Sequence, residues 1–313
     1  MKPVYRFTHY HSLASICGLT FFLGCGDDAV RMQKNLLYPN EIRGEVVSVE
    51  LNTSTVSVKA LALGRELDEK LDLQPNARLN LVVQPGDLSL LKNKSHFKGK
   101  LHETFTSSKG SGFLLHEVWP ANRSDLIRVN NVNRLLRRDT LSMGDDLIRT
   151  VGDQVPPFAL FDQDGEIITT DYFDGSVTVL NFIFTRCSVP DMCPASTIKM
   201  KELQKLVSLT GISNVKFLSI TLDPAFDSPG ILKSYAMGYS LNEENFRIGT
   251  AEKSVIDDLT RQFGILRKSK TKQPLDHTMR TIIVNSKRQI VYQVPGKGWE
   301  VKDFLSRLQN GEG

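Results

Sequence analysis

Alternating apolar and polar positions mark the first half of the chain as rich in β-strands. Five such segments follow one another between turn residues: 44–50, 55–59, 77–83, 97–104 and 112–118. Alternation is typical of a strand that buries one face and exposes the other. Five short strands at this spacing predict a small all-β domain, either a sandwich or a partly open barrel of the oligonucleotide-binding type.

The second half alternates continuous apolar runs with amphipathic stretches. The runs at 177–184 and 215–222 predict buried strands, and 281–284 with 289–294 predicts a hairpin. The amphipathic stretches predict helices at 194–210, 230–238, 253–263 and 299–308. This alternation of strands and helices, closed by a hairpin and a helix, predicts an α/β domain of thioredoxin-like fold.

These patterns divide the 313 residues into five parts. We predict a signal peptide at 1–24, a tether at 25–40, the small β domain at 41–123, a connector at 124–150 and the thioredoxin-like domain at 151–313. A chain of this length is long enough for two hydrophobic cores.

The connector is polar and rich in arginine. Its loosely spaced leucines predict one or two short helices. We interpret Arg134, Arg137 and Arg138 as a solvated face, and a docking surface is the alternative interpretation.

The N-terminus has the features of an export signal. Lys2 and Arg6 precede a short apolar run at 13–24, which is too short to cross a bilayer of roughly 30 Å as a helix. The Gly24-Cys25 boundary resembles a bacterial lipoprotein cleavage site, so we predict that Cys25 carries lipid. The protein would then be an exported, membrane-anchored lipoprotein that faces the periplasm or the cell exterior. An uncleaved anchor and an ordinary signal peptide are the alternatives.

The cysteine count and the charge narrow the functional classes. Export would remove Cys17 and acylate Cys25, which leaves only Cys187 and Cys193 of the four cysteines. A scaffold held by several disulfides is therefore excluded. The net charge of +4 comes without a dense basic patch, so no nucleic-acid partner is expected.

Cys187 and Cys193 lie between a predicted buried strand and a predicted helix. A helix N-terminus favours thiolate over thiol because its N–H groups are unpaired and its dipole is positive. Thiolates bind soft metals and attack disulfides. We predict that the pair forms a disulfide when oxidised, and a purely structural disulfide remains an alternative.

His277 is the only histidine of the second predicted domain, and it lies just before a predicted strand. Two cysteines and one histidine provide a set of three ligands suited to copper. Sulfur favours Cu(I), and imidazole accepts both Cu(I) and Cu(II).

The second domain resembles the Sco/SenC family of copper proteins over roughly residues 150–310. The matching segments are Phe182-Ile-Phe-Thr-Arg-Cys187, Cys193-Pro194, Ser219-Ile-Thr-Leu-Asp-Pro-Ala-Phe-Asp227 and Asp276-His277. The resemblance implies that Cys187, Cys193 and His277 are copper ligands. It also draws attention to Asp223, which either organises the cysteine loop or caps a turn.

The loop between the cysteines differs from the usual family motif. Five residues, Ser188 to Met192, separate Cys187 from Cys193, where the family has three. The longer loop need not prevent both sulfur atoms from reaching one metal, because Pro190 forces a bend. We expect Met192 to pack against its neighbours or to be exposed. The alternative is that its thioether sulfur is a further metal ligand.

The resemblance implies a membrane-tethered copper-binding protein that acts as a copper chaperone for a respiratory oxidase copper centre, with an oxidase subunit as the client. The main alternative is a thiol–disulfide oxidoreductase with Cys187 and Cys193 as the catalytic pair. A thiol peroxidase, suggested by the spacing of Thr185 and Cys187, and a purely structural interaction protein are further alternatives.

The first domain weakly resembles small copper-binding barrels of the CusF type. Such barrels hold copper with methionine, and residues 41–125 contain none. His116 and Trp119 remain, but they also fit a strand pattern. We therefore expect a structural or interaction module without a metal site.

Overall fold

The structure is a computed structural model that describes residues 37–74, 76–106, 110–144, 147–268 and 276–310. The predicted signal peptide and the lipidation of Cys25 fall in residues 1–36, outside the described residues. Across the described ranges, no helix combines the length and the apolar character needed to span a membrane.

Five strands close into a barrel in the first half of the chain. They are β1 (Glu41–Glu50), β2 (Thr55–Leu63), β3 (Arg78–Val83), β4 (His96–Thr106) and β5 (Gly110–Pro120). The order around the barrel is β1-β2-β3-β5-β4, and only the β3–β5 pairing is parallel among these neighbours. The predicted all-β, barrel-like class is confirmed, but the barrel is closed rather than partly open. Every strand except β3 is longer than its pattern.

The sequence pattern missed two short helices in the barrel. They are α1 (Arg65–Leu71) and α2 (Pro85–Leu88). Gly44 allows the barrel to close tightly, because a Cβ at this position would lie 2.8 Å from the Phe97 ring. Phe97 pairs with Gly44 across β1 and β4 and is 1 % exposed, so it fills the barrel interior.

The first part of the predicted connector forms one 20-residue helix, α3 (Arg123–Ser142), rather than one or two short helices. Leu136 on this helix is fully buried in the core of the second domain. All three arginines, Arg134, Arg137 and Arg138, are exposed, and Arg137 also donates to Asp258 over 2.6 Å. The loosely spaced leucines do not reveal the length of this helix, because a helix that is buried on only part of its surface needs few apolar positions.

The second half folds around a five-stranded mixed sheet. After the small ladder of β6 (Ala159–Phe161) and β7 (Ile167–Thr169), the elements are β8 (Val177–Ile183), α4 (Cys193–Thr210), β9 (Val215–Thr221), α5 (Pro229–Tyr239), β10 (Phe246–Gly249), α6 (Lys253–Gln262), β11 (Arg267–Lys268), β12 (Asp276–His277), β13 (Arg280–Val284), β14 (Ile290–Pro295) and α7 (Val301–Gln309). The sheet order is β10-β9-β8-β13-β14. The predicted α/β class is confirmed, and β10 is a strand that the pattern missed.

The sheet topology determines where the cysteine loop lies. β8 and β9 are parallel neighbours, with Ile183 beside Thr221, so the segments that follow them leave the same edge of the sheet. β13 runs antiparallel to β8, so the segment that precedes β13 reaches this edge as well. Three loops therefore meet at the carboxyl end of β8.

Candidate metal centre

Two buried cysteines follow β8. Cys187 is 9 % exposed, and Cys193, the first residue of α4, is fully buried. Pro194 occupies the first turn of α4, where its missing N–H costs no hydrogen bond. Both cysteines are free thiols in this structure, so their disulfide stays a prediction for the oxidised protein.

His277 comes to Cys193 from the segment before β13. Its Nε2 lies 3.5 Å from Cys193 Sγ. Its Nδ1 lies 2.8 Å from the carbonyl oxygen of Thr278, which can only accept, so Nδ1–H donates there. The lone pair of a neutral imidazole is then on Nε2, the nitrogen that faces the thiol. The Phe184 ring packs edge-on against the imidazole, with 5.4 Å between the ring centroids.

Burial, rather than the helix N-terminus, has the largest effect on the pKa of Cys193. Burial raises the pKa of the Cys193 thiol far above its ordinary value. A hydrogen bond with the Phe184 backbone lowers this pKa, whereas the interaction with Cys187 raises it further. The expectation that the helix would favour thiolate is therefore wrong for Cys193, because the loss of water outweighs the helix dipole.

Two of the three predicted ligands are in direct contact, and the third lies next to one of them. Cys193 contacts His277, and Cys187 interacts with Cys193. Within the described ranges, however, no group of three or more His, Cys, Asp or Glu side chains is arranged to hold a metal ion. The donor types fit a soft metal, since a sulfur atom and an imidazole nitrogen face each other at a distance suited to a hydrogen bond or to a shared ion.

A buried carboxyl group anchors the end of β8. Asp227 is fully buried and accepts hydrogen bonds from the Thr185 amide over 3.2 Å, from the Thr185 hydroxyl, and from the Thr221 hydroxyl over 2.5 Å. Burial raises the pKa of Asp227 above its ordinary value, and these hydrogen bonds act in the opposite direction. Asp227 thus fixes the backbone two residues before Cys187.

Asp223 organises the cysteine loop through Arg186. One carboxylate oxygen of Asp223 accepts from Arg186 Nη2 over 2.5 Å and from Nε over 3.1 Å. The guanidinium also stacks over the Phe226 ring, 4.1 Å from its centroid. Of the two roles considered for Asp223, the structure shows contact with the loop. Sequence reasoning missed Arg186, although its position directly before Cys187 was a usable signal.

An open groove of about 530 Å³ lies beside His277. Met192 and Met279 contribute soft apolar walls, and Arg280 and Lys297 contribute charge. Met192 also packs against the domain core, which agrees with the packing role expected for it. The site therefore borders an open groove on the side where His277 lies.

The barrel histidines and tryptophan lie away from this site. His116 and Trp119 are both on β5, as the strand pattern indicated. The Trp119 ring packs edge-on against Phe161 of the second domain, with 6.4 Å between the centroids. Trp119 therefore contributes to the contact between the two domains.

Curated relatives match the second domain. A SCO1 protein homolog of Bacillus subtilis is 28% identical over 146 residues, which cover 46% of this chain and 74% of that protein. A SCO2-like protein of Rickettsia prowazekii is 33% identical over 109 residues, which cover 35% of this chain and 50% of the relative. The chain thus spans about half the length of the Rickettsia protein.

Among solved structures, a SCO1/SenC family lipoprotein from Bacillus anthracis aligns with 52% of this chain and 98% of its own, at 22% identity and a TM-score of 0.48. The family model described as SCO1/SenC matches residues 149–310, just over half of the chain. On the strength of that match, this chain belongs to the SCO1/SenC family.

Proposed function

We propose that this chain binds copper through Cys187, Cys193 and His277 and carries it as cargo for the assembly of a respiratory oxidase copper centre. The observation that carries the proposal is the 3.5 Å contact between Cys193 Sγ and His277 Nε2. Membership of the SCO1/SenC family supports the same role. The proposal has three further parts. The second domain has a thioredoxin-like fold, a lipid at Cys25 anchors the protein to the membrane, and an oxidase subunit receives the copper.

The ligand chemistry favours copper in its reduced form. Thiolate sulfur selects soft ions such as Cu(I), and imidazole adds a ligand that also accepts Cu(II). The hydrogen bond from Nδ1 to Thr278 presents Nε2 for coordination, as an outer partner does for many metal-binding histidines. Because burial raises the pKa of Cys193, the metal must displace a proton, and binding weakens as the pH falls.

The two additional residues of the cysteine loop are accommodated by local hydrogen bonds. The Met192 amide donates to Val189 over 3.1 Å, and the Ala195 amide donates to Pro190 over 3.2 Å. Lys297 forms an ion pair with Asp191 on the same loop. These contacts fold the loop back on itself, so the longer spacing still leaves Cys187 next to Cys193.

A copper titration of the reduced full chain tests this proposal. The chain competes with a chromogenic Cu(I) chelator, and Cys187→Ser, Cys193→Ser and His277→Ala are measured one at a time. We expect either cysteine variant to lose nearly all binding, because thiolates dominate Cu(I) affinity. His116→Ala, which changes a half-buried histidine of the barrel, is the matched control and should bind like the wild type. Wild-type affinity in all three site variants would overturn the proposal.

Thiol–disulfide exchange is the second candidate, favoured by the interaction between two buried thiols, one of which begins a helix. In this reaction the dithiol gives up two electrons and two protons and forms one S–S bond. The partner disulfide takes up both and becomes two thiols. The reaction does not need the imidazole. Unchanged copper affinity together with unimpaired reductase activity in His277→Ala would favour this candidate.

A further inference from the structure

The barrel and the second domain meet at a close contact between two backbones. Helix α2 of the barrel lies against the first turn of α5, with Gly86 facing Gly230. A methyl group on Gly86 would lie 2.1 Å from the carbonyl oxygen of Gly230. A methyl group on Gly230 would lie 2.1 Å from Asp87 Oδ1. Real side chains do not approach so closely, so this contact requires glycine at both positions.

Asp87 makes this contact a specific one. Its carboxyl group is 1 % exposed and accepts a hydrogen bond from the Val118 amide over 3.1 Å. It therefore joins the barrel strand β5 to the surface that touches Gly230. Burying a carboxyl group costs free energy unless the group is hydrogen-bonded. The hydrogen bond to Asp87 therefore indicates a specific interface rather than a chance contact.

Further contacts extend the interface beyond the two glycines. A methyl group on Gly165, in the turn between β6 and β7, would lie 3.0 Å from both Leu90 and Pro120 of the barrel. Lys92 of the barrel forms an ion pair with Glu166 of the same turn. The barrel is thus held on the second domain at two separate places.

A short path leads from Gly230 to the cysteine loop. α5 begins directly after Asp227 and Ser228, and the Leu232 amide donates to the Ser228 carbonyl in its first turn. Asp227 is the carboxylate that fixes Thr185. The position of the α5 N-terminus therefore determines where Asp227 holds the backbone that leads to Cys187.

We infer that the barrel is a positioning module for the cysteine site: by seating α2 on the first turn of α5, it fixes the 223–228 segment and through it the orientation of Cys187. Gly86, Asp87 and Gly230 are positioning residues in this arrangement, since they act through Asp227. The inference goes beyond the proposed function because it concerns the thiol itself. It holds whether the site carries copper or exchanges disulfides.

Amide hydrogen exchange and thiol alkylation in the full reduced chain test this inference. Gly86→Ala would clash with the backbone of Gly230, and Gly230→Ala would clash with the carboxyl group of Asp87, so both disturb the contact from opposite sides. We expect amide exchange at 184–188 and iodoacetamide alkylation of Cys187 to rise about tenfold in both variants. Exchange in the β13–β14 hairpin should stay at the wild-type rate, because that hairpin pairs on the far side of β8 from β9. A role in overall stability alone would accelerate the hairpin as well.

Gly238→Ala is the matched control. Gly238 is on the same helix as Gly230, and a methyl group there would meet nothing within 4 Å. It should leave exchange and alkylation unchanged. If either docking variant does not fold, Asp87→Ala weakens the contact without adding atoms, and the same rise at 184–188 is expected. Wild-type alkylation in folded variants whose α2 exchanges faster would overturn the inference, as would an equal rise in Gly238→Ala.

Discussion

Cys193 and His277 are 84 residues apart in the chain, yet their sulfur and imidazole nitrogen lie 3.5 Å apart. The contact exists because β13 runs antiparallel to β8, which returns the histidine segment to the edge of the sheet where the cysteine loop begins. The Thr278 carbonyl holds the other ring nitrogen, so the imidazole is oriented before any metal arrives.

The first prediction concerns the choice between copper oxidation states. His277→Ala should weaken Cu(I) binding about tenfold and Cu(II) binding more, because imidazole matters more to the harder ion. The measurement is a chelator competition for Cu(I) and a spectroscopic titration for Cu(II). Unchanged affinity for both ions would contradict the assignment of His277 as a ligand.

The second prediction concerns the cysteine pair in oxidised protein. Air oxidation should join Cys187 and Cys193 in a disulfide, since the two residues already interact and close a short loop. Peptide mapping by mass spectrometry should find the linked peptide with two hydrogen atoms fewer than the dithiol. Two freely alkylated thiols after oxidation would count against it.

The third prediction concerns the ion pair before Cys187. Asp223→Asn removes the charge that holds Arg186, so alkylation of Cys187 should rise about threefold to tenfold through greater local opening. Asp174→Asn breaks a comparable pair with Arg288 away from the site and is the matched control. The same alkylation rate in both variants and the wild type would show that the ion pair does not hold the loop.

The fourth prediction concerns pH and the barrel interface. Burial raises the pKa of Asp87 from 3.8 to about 7, and the Glu117 charge adds to this effect. The folded protein therefore holds the Asp87 proton more tightly than the unfolded chain. The free energy of unfolding contributed by this group is present in full below about pH 4 and is lost as the pH rises through about 7. The loss amounts to roughly 1.4 kcal/mol per pKa unit.

Asp87→Asn should remove this part of the pH dependence, because an amide does not ionise and its oxygen can still accept from Val118. Urea unfolding of both proteins from pH 4 to pH 8 measures the difference. Asp162, whose pKa burial raises to about 6, titrates equally in both proteins and cancels in the comparison. Parallel stability curves would contradict the buried, protonated state of Asp87.

The fifth prediction concerns α3. Leu136→Ala should lower the free energy of unfolding by about 2–5 kcal/mol, since Leu136 is fully buried in the core of the second domain. Leu135→Ala next to it changes a side chain that is 45 % exposed and should stay within about 0.5 kcal/mol of the wild type. Equal effects in chemical denaturation would show that α3 does not belong to this core.

Local patterns predicted most of the elements because their signals lie within a few residues. The β8 run and the Pro194 helix start are of this kind, and both were found close to the expected bounds. The approach of His277 to Cys193 was expected from the family resemblance and from the loop before β13. The ion pair of Arg186 with Asp223 was not expected, because it depends on two parallel strands ending side by side. The direction of the pKa shift of Cys193 was predicted wrongly, because burial of the thiol depends on the assembled core.

The glycine contact between α2 and α5 also limits how this sequence can change during evolution. A side chain at Gly86 or at Gly230 would clash across the contact, so neither residue can be substituted while the barrel remains docked on the second domain. Among relatives that carry both domains, these two sites should therefore keep glycine together. In relatives that have only the second domain, the site equivalent to Gly230 should be free to take the residues of an ordinary helix start.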